Sequence, residues 1–440
     1  MNETDELLQL LIRNGCVNDG TAESGQEVRN ADVLQSYLDG SGFDMQRFEA
    51  LPDRPSLVAR IEGTDPKAPS LMLMGHTDVV PVNADGWERD PFGGELVGDM
   101  VWGRGAVDML NLTSSMAVAV RNVARSGFKP KGTLIYFAVP DEEAAGIYGA
   151  KYMCEQETDA VRCDYLVTEM GGFRFAGGDV PQRVVTVGEK GTYWCRITVR
   201  GKPGHGSMPA RTDNALVKAA DIVRRLAAYR PPTVVHDVWR SFVERMAFAQ
   251  PLADTLLDAK KLDELIETTP DVGLARMVHA CTHTTFAPTV LNAGVKANVI
   301  PDHAELQVDI RTLPGQTGDD IQAMLREALG EYYDGVDIDP MSAMPASFSS
   351  TDTPLYDTMA NLTTKLTPGS KAVPFMISGA TDARYFRRLG TVSYGYGLFS
   401  DRIPFTEFAS MFHGDNERVD VESLRLSTEL WEALILEFLG

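Results

Sequence analysis

The acids and histidines of this chain that could do chemistry stand at the ends of apolar runs. His76 and Asp78 follow SLMLMG as HTD. Residues i and i+2 of a strand point the same way. Asp78 can therefore stand behind the His76 ring and accept its second ring proton, the support that a metal-bound imidazole needs. A histidine simply satisfied at a strand end is the other reading. Asp108 lies in WGRGAVDM, a glycine-rich loop leading into a helix, where an Asp is also a common N-cap. Glu142 and Glu143 follow TLIYFAVP and Asp141, a place where acids also begin a solvated helix. Glu169 follows DYLVT and precedes Gly171-Gly172, and His413 sits in MFHGDNERV. Together these make a mixed nitrogen and oxygen donor set. Such a set suits Zn²⁺, and Mn²⁺ or Co²⁺ less well. A carboxylate left over beside a ligand, Glu142 next to Glu143, is what a metal hydrolase needs as general base. The chain has no GxSxG, no Walker loop and no GxGxxG after a strand. Its cysteines lie outside the set, so a nucleophilic thiol has no support.

Apolar patterning supplies the elements that must hold these residues. SLVARIEG, SLMLMGHTD, GTLIYFAVP and DYLVTEMGG read as strands. Helical spacing appears over 4–14 behind a Thr cap, near 29–40, and over 113–127, 146–157 and 421–439. Strands alternating with helices predict a largely parallel α/β sheet, and open α/β sheets collect ligands at the carboxyl ends of their strands. The pattern changes at about residue 189. TYWCRITVRG alternates as a half-buried strand does, NALVKAADIVRRLAAY is helical, VLNAGVKANVIPDHAELQVDIRTL gives two strands, and TGDDIQAMLREALG is helical again. This is the β-α-β-β-α-β order of a ferredoxin-like sandwich, interrupted over 230–286 by a longer, partly helical insert. The α/β pattern returns near 346. The expected organisation is one α/β domain, residues 1–188 and 346–440, with an α+β domain, residues 189–345, inserted in it.

A chain of 440 residues exceeds one compact core. Its 44% hydrophobic and 23% charged residues are those of an ordinary globular protein. The 41 basic and 62 acidic residues leave a formal charge of −21, which disfavours nucleic acid and anionic membrane surfaces as partners. The apolar runs fall far short of the roughly 20 residues that span a bilayer. The start MNETDELLQLL lacks the basic region of a secretory signal. Five scattered cysteines without a CxxC pair predict reduced, structural thiols and a cytoplasmic location.

The motifs GHTDVVP, WGRGAVDM, PDEEAAG, TEMGG and FHGDNERV, in this order, resemble those of a metallopeptidase family. It is the family of acetylornithine deacetylase, succinyl-diaminopimelate desuccinylase, aminoacylase-1 and carboxypeptidase S. The similarity spans nearly the whole chain, and the GGF after Glu169 and the long insert look most like the carboxypeptidase S branch. The resemblance implies a zinc-exopeptidase-like catalytic domain with a ferredoxin-like lid and dimerisation domain. It also implies a co-catalytic pair of Zn²⁺ ions, with Co²⁺ or Mn²⁺ as substitutes. By it, His76 and Glu169 bind one ion, Glu143 and His413 the other, and Asp108 bridges them. Asp78 orients His76, Glu142 is the general acid/base, and the Asp108–Met109 peptide is cis. His205 in GKPGHGSMPA reads from composition as a turn histidine; it matches one that reaches the partner's active site in a homodimer and stabilises the oxyanion. Asn298 in KANVIP and Arg311 in VDIRTLPG match positions that hold a substrate's free carboxylate, although a strand-end salt bridge also accounts for Arg311. SGATDARYF resembles a glycine-rich substrate loop, with Gly379 open to close backbone approach and Arg384 a further candidate. Ser378 or Ala380 stands where members usually carry a second glycine. Trp87, Phe92 and Trp102 flank the first two motifs and read as packing. The implied activity is cleavage of an amide or peptide bond next to a free carboxylate, either by a carboxypeptidase or dipeptidase or by a deacylase of N-acyl amino acids. A catalytically inactive metal-binding protein would have lost Glu142 or a ligand, and every position carries a suitable residue.

Overall fold

The computed structural model describes residues 2–175 and 181–440. Two sheets organise them. The larger has ten strands, its main path being Asp44–Glu49, Pro55–Ile61, Leu134–Val139, Leu71–His76, Tyr165–Thr168, Val392–Gly395, Gln182–Glu189 and Ser347–Phe348; Lys371–Ile377 and Arg174–Phe175 also pair with Gln182–Glu189. Leu71–His76 and Leu134–Val139 are buried at every residue, as strands covered on both faces must be. Leu71–His76 is parallel to both neighbours. The carboxyl ends of these strands, at His76, Val139 and Thr168, thus share one rim.

The sheet is mixed rather than largely parallel. Pro55–Ile61 runs antiparallel to Asp44–Glu49 and to Leu134–Val139. The link 50–54 suffices for a hairpin and is far too short for the crossover that a parallel pair requires. Helix Leu110–Arg125 presents Met116, Ala117, Ala119 and Val120 to the core that also holds Leu430 and Trp431 of helix Val421–Phe438. Helix Glu3–Asn14 is capped by Asn2, not by Thr4. The Asn2 side chain accepts from the Asp5 N–H and the Asp5 carboxylate accepts from the Asn2 N–H, both at 2.9 Å, a reciprocal capping box.

The second sheet is antiparallel, in the order Thr285–Ala293, His303–Thr312, Gly191–Arg200, Val336–Met344. Helices Ala215–Ala228 and Gly318–Leu329 cover one face, burying Cys195, Ile197, Leu306, Ile310, Ile222 and Leu325. Strand alternation leaves Thr192, Trp194 and Arg311 on the other face.

Helices Asp237–Met246, Gln250–Leu256, Ala259–Thr268 and Val272–Thr282 lie within this unit in sequence but belong to a different core. Trp239, Phe242, Val243, Val278 and Cys281 pack with Val373 of the larger sheet, beside Phe175 and Phe375. The apolar side chains of Lys371–Ile377 give the insert a surface to bury that the ferredoxin-like unit, already covered by its own helices, does not. All five cysteines are buried and free. Among the described residues no helix is long and apolar enough to cross a membrane.

Candidate metal centre

Five side chains converge at the carboxyl rim of the larger sheet. His76, 1% exposed, places Nε2 at 3.1 Å from Asp108 Oδ1 and 3.9 Å from Glu169 Oε2. The other Asp108 oxygen, Oδ2, is 3.5 Å from His413 Nε2, and that nitrogen is 3.1 Å from Glu143 Oε2. The donor atoms of His76, Asp108 and Glu169 all lie within 4.8 Å of one another, and so do those of Asp108, Glu143 and His413. The two sets have only Asp108 in common, and it turns one oxygen towards each.

Charge is concentrated here. Burial pushes the carboxyls of Glu142, Glu143 and Glu169 upward. Burial also raises Asp108, but the hydrogen bonds from His413 and His76 outweigh it and hold that carboxyl well below the usual range. Asp108 and Glu143 lift His413 to about 10. Burial alone would lower His76; the Asp108 bond and the Glu169 charge carry it well above its ordinary value. Glu143 Oε1 is buried with no hydrogen-bond partner. Four carboxylates thus crowd around two imidazoles, His76 buried and His413 exposed at the rim, and gather negative charge that added cations would offset. Two three-donor sets of imidazole and carboxylate fit divalent cations.

The supports of this cage come from distant segments. The His76 Nδ1 bonds the Asp78 backbone carbonyl at 2.9 Å, while the Asp78 carboxylate stands 3.5 Å away. This departs from the expected carboxylate–imidazole contact, because the strand ends at His76 and Asp78 has left the i, i+2 alternation. The Asp78 carboxylate instead accepts the backbone N–H groups of Glu142 and Glu143 at 3.2 and 3.1 Å. Asp78 therefore aims the imidazole with its backbone and the two glutamates with its side chain. Asn18 Nδ2 donates to both Asp78, at 2.8 Å, and Asp141, at 3.2 Å. Buried Arg54 bridges Glu27, at 2.6 Å, and Asp141, at 3.0 Å.

The loop before Asp108 wraps a second buried carboxylate. Glu417 accepts from Arg104 Nη1 at 2.9 Å, Gly105 N at 3.0 Å, Val107 N at 2.6 Å and Asp108 N at 2.9 Å. The Asp108–Met109 peptide is cis. Gly75 lets helix Leu110–Arg125 approach, since a Cβ there would meet Thr113 Oγ1 at 2.4 Å; that hydroxyl donates to the His76 carbonyl at 2.8 Å. Sequence reasoning missed Asn18, Glu27, Arg54 and Glu417. Only Glu417 carried a local signal, as the acid of NERV directly behind the His413 motif.

A cavity of about 550 Å³ opens over the cage, between it and the bare face of the second sheet. Glu142, Gly379, Ala380, Arg384, Trp194 and Arg311 line it. Arg311 is already held by Asp309 through two bonds of 2.7 and 3.0 Å and lies over the Trp194 ring. Arg384 bonds the Ala145 carbonyl at 3.0 Å, and its Nε is buried without a partner. No atom lies within 4 Å of a Cβ placed on Gly379, so its face to the cavity is open. His205 and Asn298 do not line the cavity. Both are exposed: His205 lies on the short ladder Gly204–His205 with Val299–Ile300, where its ring bonds Ser207 Oγ at 2.7 Å, and Asn298 directly precedes that ladder. Trp87 lies under the Arg104 guanidinium, and Trp102 lies under those of Arg89 and Arg418. None of the three flanking aromatics, Phe92 included, lines the cavity.

A cage of this kind beside a cleft defines a metallohydrolase. Residues 72–437 match the model of peptidase family M20/M25/M40, and the chain belongs to that family. It is a hydrolase of peptide or linear amide bonds, in a metal-dependent family. The chain is 28% identical over 437 residues to a succinyl-diaminopimelate desuccinylase of Caulobacter vibrioides, covering 98% of this chain and 95% of the relative. It is 27% identical over 394 residues to the N-fatty-acyl-amino acid synthase/hydrolase PM20D1 of Xenopus tropicalis, covering 86% and 74%. It is 26% identical to a probable carboxypeptidase S-like 2 of Dictyostelium discoideum, again covering 86% and 74%. Its fold is similar to that of the M20 family metallo-carboxypeptidase Sso-CP2 from Sulfolobus solfataricus, with a TM-score of 0.75 at 17% identity over 100% and 99% of the two chains.

Proposed function

We propose that this chain is a dinuclear zinc hydrolase that cleaves a peptide or amide bond next to a free carboxylate, as a carboxypeptidase or dipeptidase does. The observation that carries this reading is the pair of three-donor sets sharing Asp108. His76, Asp108 and Glu169 hold one ion, and Asp108, Glu143 and His413 the other. When bound, the ions lower the pKa of the attacking water and polarise the scissile carbonyl. Glu142 lines the cavity on the turn that Asp78 holds. There it takes the proton of the attacking water and returns it to the leaving nitrogen. Burial raises its carboxyl, which suits a group that must first accept a proton and then give it up. Arg384, with a guanidinium edge still unpaired, binds the substrate carboxylate. Arg311, its charge shared with Asp309, is the weaker anchor.

Residues 189–345 act in this reading as lid and dimerisation domain on a catalytic domain of residues 1–188 and 346–440. Exposed Leu216, Val217, Val290 and Leu291 on the outer helix and edge strand support a homodimer. Exposed His205 and Asn298 then enter the partner's cavity.

A second reading, deacylation of N-acyl amino acids, is favoured by the apolar wall of Ile147, Met170, Trp194, Met344, Ile377 and Phe412. That wall suits an alkyl or aromatic acyl group. A panel of dipeptides and N-acyl amino acids of increasing acyl length, assayed on the zinc-loaded chain, decides between them. Turnover confined to dipeptides supports the first reading and turnover rising with acyl length the second. No turnover of either class refutes both.

A further inference from the structure

We infer that Lys151 is a specificity residue: it gives the cavity a second anion subsite and selects substrates that carry a carboxylate besides the one Arg384 binds. Its purpose rests on the hydrolase reading; the subsite itself is measurable without turnover.

The acids that line the cavity, Asp108, Glu142, Glu143 and Glu169, all belong to the cage or stand next to it in the chain. Divalent ions in the two donor sets would offset them. Outside the cage the lining carries no acid and three cations, Lys151, Arg311 and Arg384. Arg311 is already paired with Asp309 at 2.7 Å. Among the described residues Lys151 and Arg384 form no ion pair, and the half-buried Lys151 gives its ammonium no hydrogen-bond acceptor. The acids nearest to them in the chain do not compete. Asp382 is 1% exposed, and neither it nor Glu155 lines the cavity.

The two unpaired cations share one wall. The Ala145 carbonyl accepts from Arg384 Nη2 at 3.0 Å and from the Tyr385 hydroxyl at 2.6 Å. A Cβ on Gly146 would meet Asp382 Oδ1 at 2.2 Å. The turn 145–151 is thus clamped onto 382–385, and Ile147 and Tyr385 line the cavity with the cations. A substrate with one carboxylate engages Arg384 and leaves Lys151 facing a neutral group. A second carboxylate gains a charge-assisted hydrogen bond, and a lysine, as a point charge, accepts it at many orientations. That carboxylate comes either from an acidic side chain on the C-terminal residue or from the far end of a dicarboxylic acyl group.

The test is calorimetry on the full zinc-loaded chain with two pairs of products, glutamate with glutamine and succinate with succinamate. Each pair differs only by a carboxylate and its amide. Wild type should bind the acid of at least one pair about tenfold more tightly than its amide, the effect of one hydrogen bond between charged groups. A preference for glutamate places the carboxylate on the C-terminal residue, and one for succinate places it on the acyl group. K151Q should erase the preference and leave the amide's affinity unchanged; K151R, which keeps the cation, should retain it. Equal binding of acid and amide in both pairs, a preference that survives in K151Q, or no binding of either acid overturns the inference and leaves Lys151 an ordinary solvated lysine. Turnover is scored apart. A chain that hydrolyses peptides or N-acyl amino acids without an acid preference keeps the hydrolase reading and loses this one, and a preference lost in K151Q without any turnover does the reverse.

Discussion

Replacing Glu417 by Gln probes how the bridging ligand is held. The wild-type carboxylate receives four donors, one from Arg104 and three from the backbone of the loop that ends at Asp108. Glutamine keeps one acceptor oxygen and turns an NH₂ donor towards the other two N–H groups. Two bonds to a charged acceptor are lost, each worth about 1.5–3 kcal/mol. Arg104, 2% exposed, also loses its counter-charge, and breaking a buried pair from one side costs about 3–5 kcal/mol. These effects overlap, so the expected destabilisation is about 3–5 kcal/mol in total. That is a large part of a typical stability of about 5–15 kcal/mol. Val107 N and Asp108 N share the same oxygen of Glu417, so the Asp108 carboxylate should lose its aim at both donor sets. Urea melts should show a lower midpoint, elemental analysis fewer bound ions per chain, and excess Zn²⁺ partial recovery of turnover, because a ligand of the folded state stabilises it. The double variant R104M/E417L separates stability from aim. Apolar replacement of a buried pair is often tolerated, so it should regain stability without regaining metal content. An E417Q chain within about 1 kcal/mol of wild type that keeps its full metal content would refute the reasoning.

Other outcomes follow from the same geometry. E142Q should lose about 10²–10⁴-fold in turnover with metal content unchanged; activity near wild type would remove Glu142 as the base. D108N should weaken both ions together, whereas H76A and H413A should each weaken one, as titration with chelator and elemental analysis will read. If His205 serves the partner's site, mixing inactive H205A with inactive E142A chains should restore turnover through hybrid dimers that hold one complete site, and no restoration would confine each site to its own chain. Burial pushes the Lys190 ammonium from 10.5 down to about 7. The unfolded chain then binds one more proton than the folded chain between those values, and this group makes stability rise with pH across that window. K190M should flatten that rise by up to about 1.4 kcal/mol per pH unit, read from urea melts at several pH values.

What was legible in the sequence and what was not divides along chain distance. His76, Glu142, Glu143 and Glu169 announce themselves because each follows a short apolar run whose strand places it on the rim. The ferredoxin-like order was equally plain, since alternation and helical spacing are local properties. The antiparallel pairing of Asp44–Glu49 with Pro55–Ile61 followed from one short link, at 50–54, whose length decides it; the antiparallel pairs of Pro55–Ile61 with Leu134–Val139 and of Gln182–Glu189 with Ser347–Phe348 are closed by the fold. The Asn2 cap and the Asp78 backbone contact turn on where an element ends, and a period of two or 3.6 residues does not say where it stops. The helices of 237–282 show amphipathic faces, yet nothing in their own pattern names Val373 as the surface to bury.

The supports of the cage were the least legible part, for a physical reason. A metal ligand must be one of few residue types at a strand end, so its identity and its place are both constrained. A group that holds a ligand needs only to deliver a hydrogen bond, and any segment that folds nearby can supply it. Asn18 does so from 60 residues before Asp78, and Glu417 from 309 residues beyond Asp108. These contacts are closed by the fold and not by the local chain. The cage therefore depends on the whole molecule being folded: loss of packing at the Arg54–Glu27–Asp141 node should release Asp78 and, through it, the turn that carries Glu142 and Glu143.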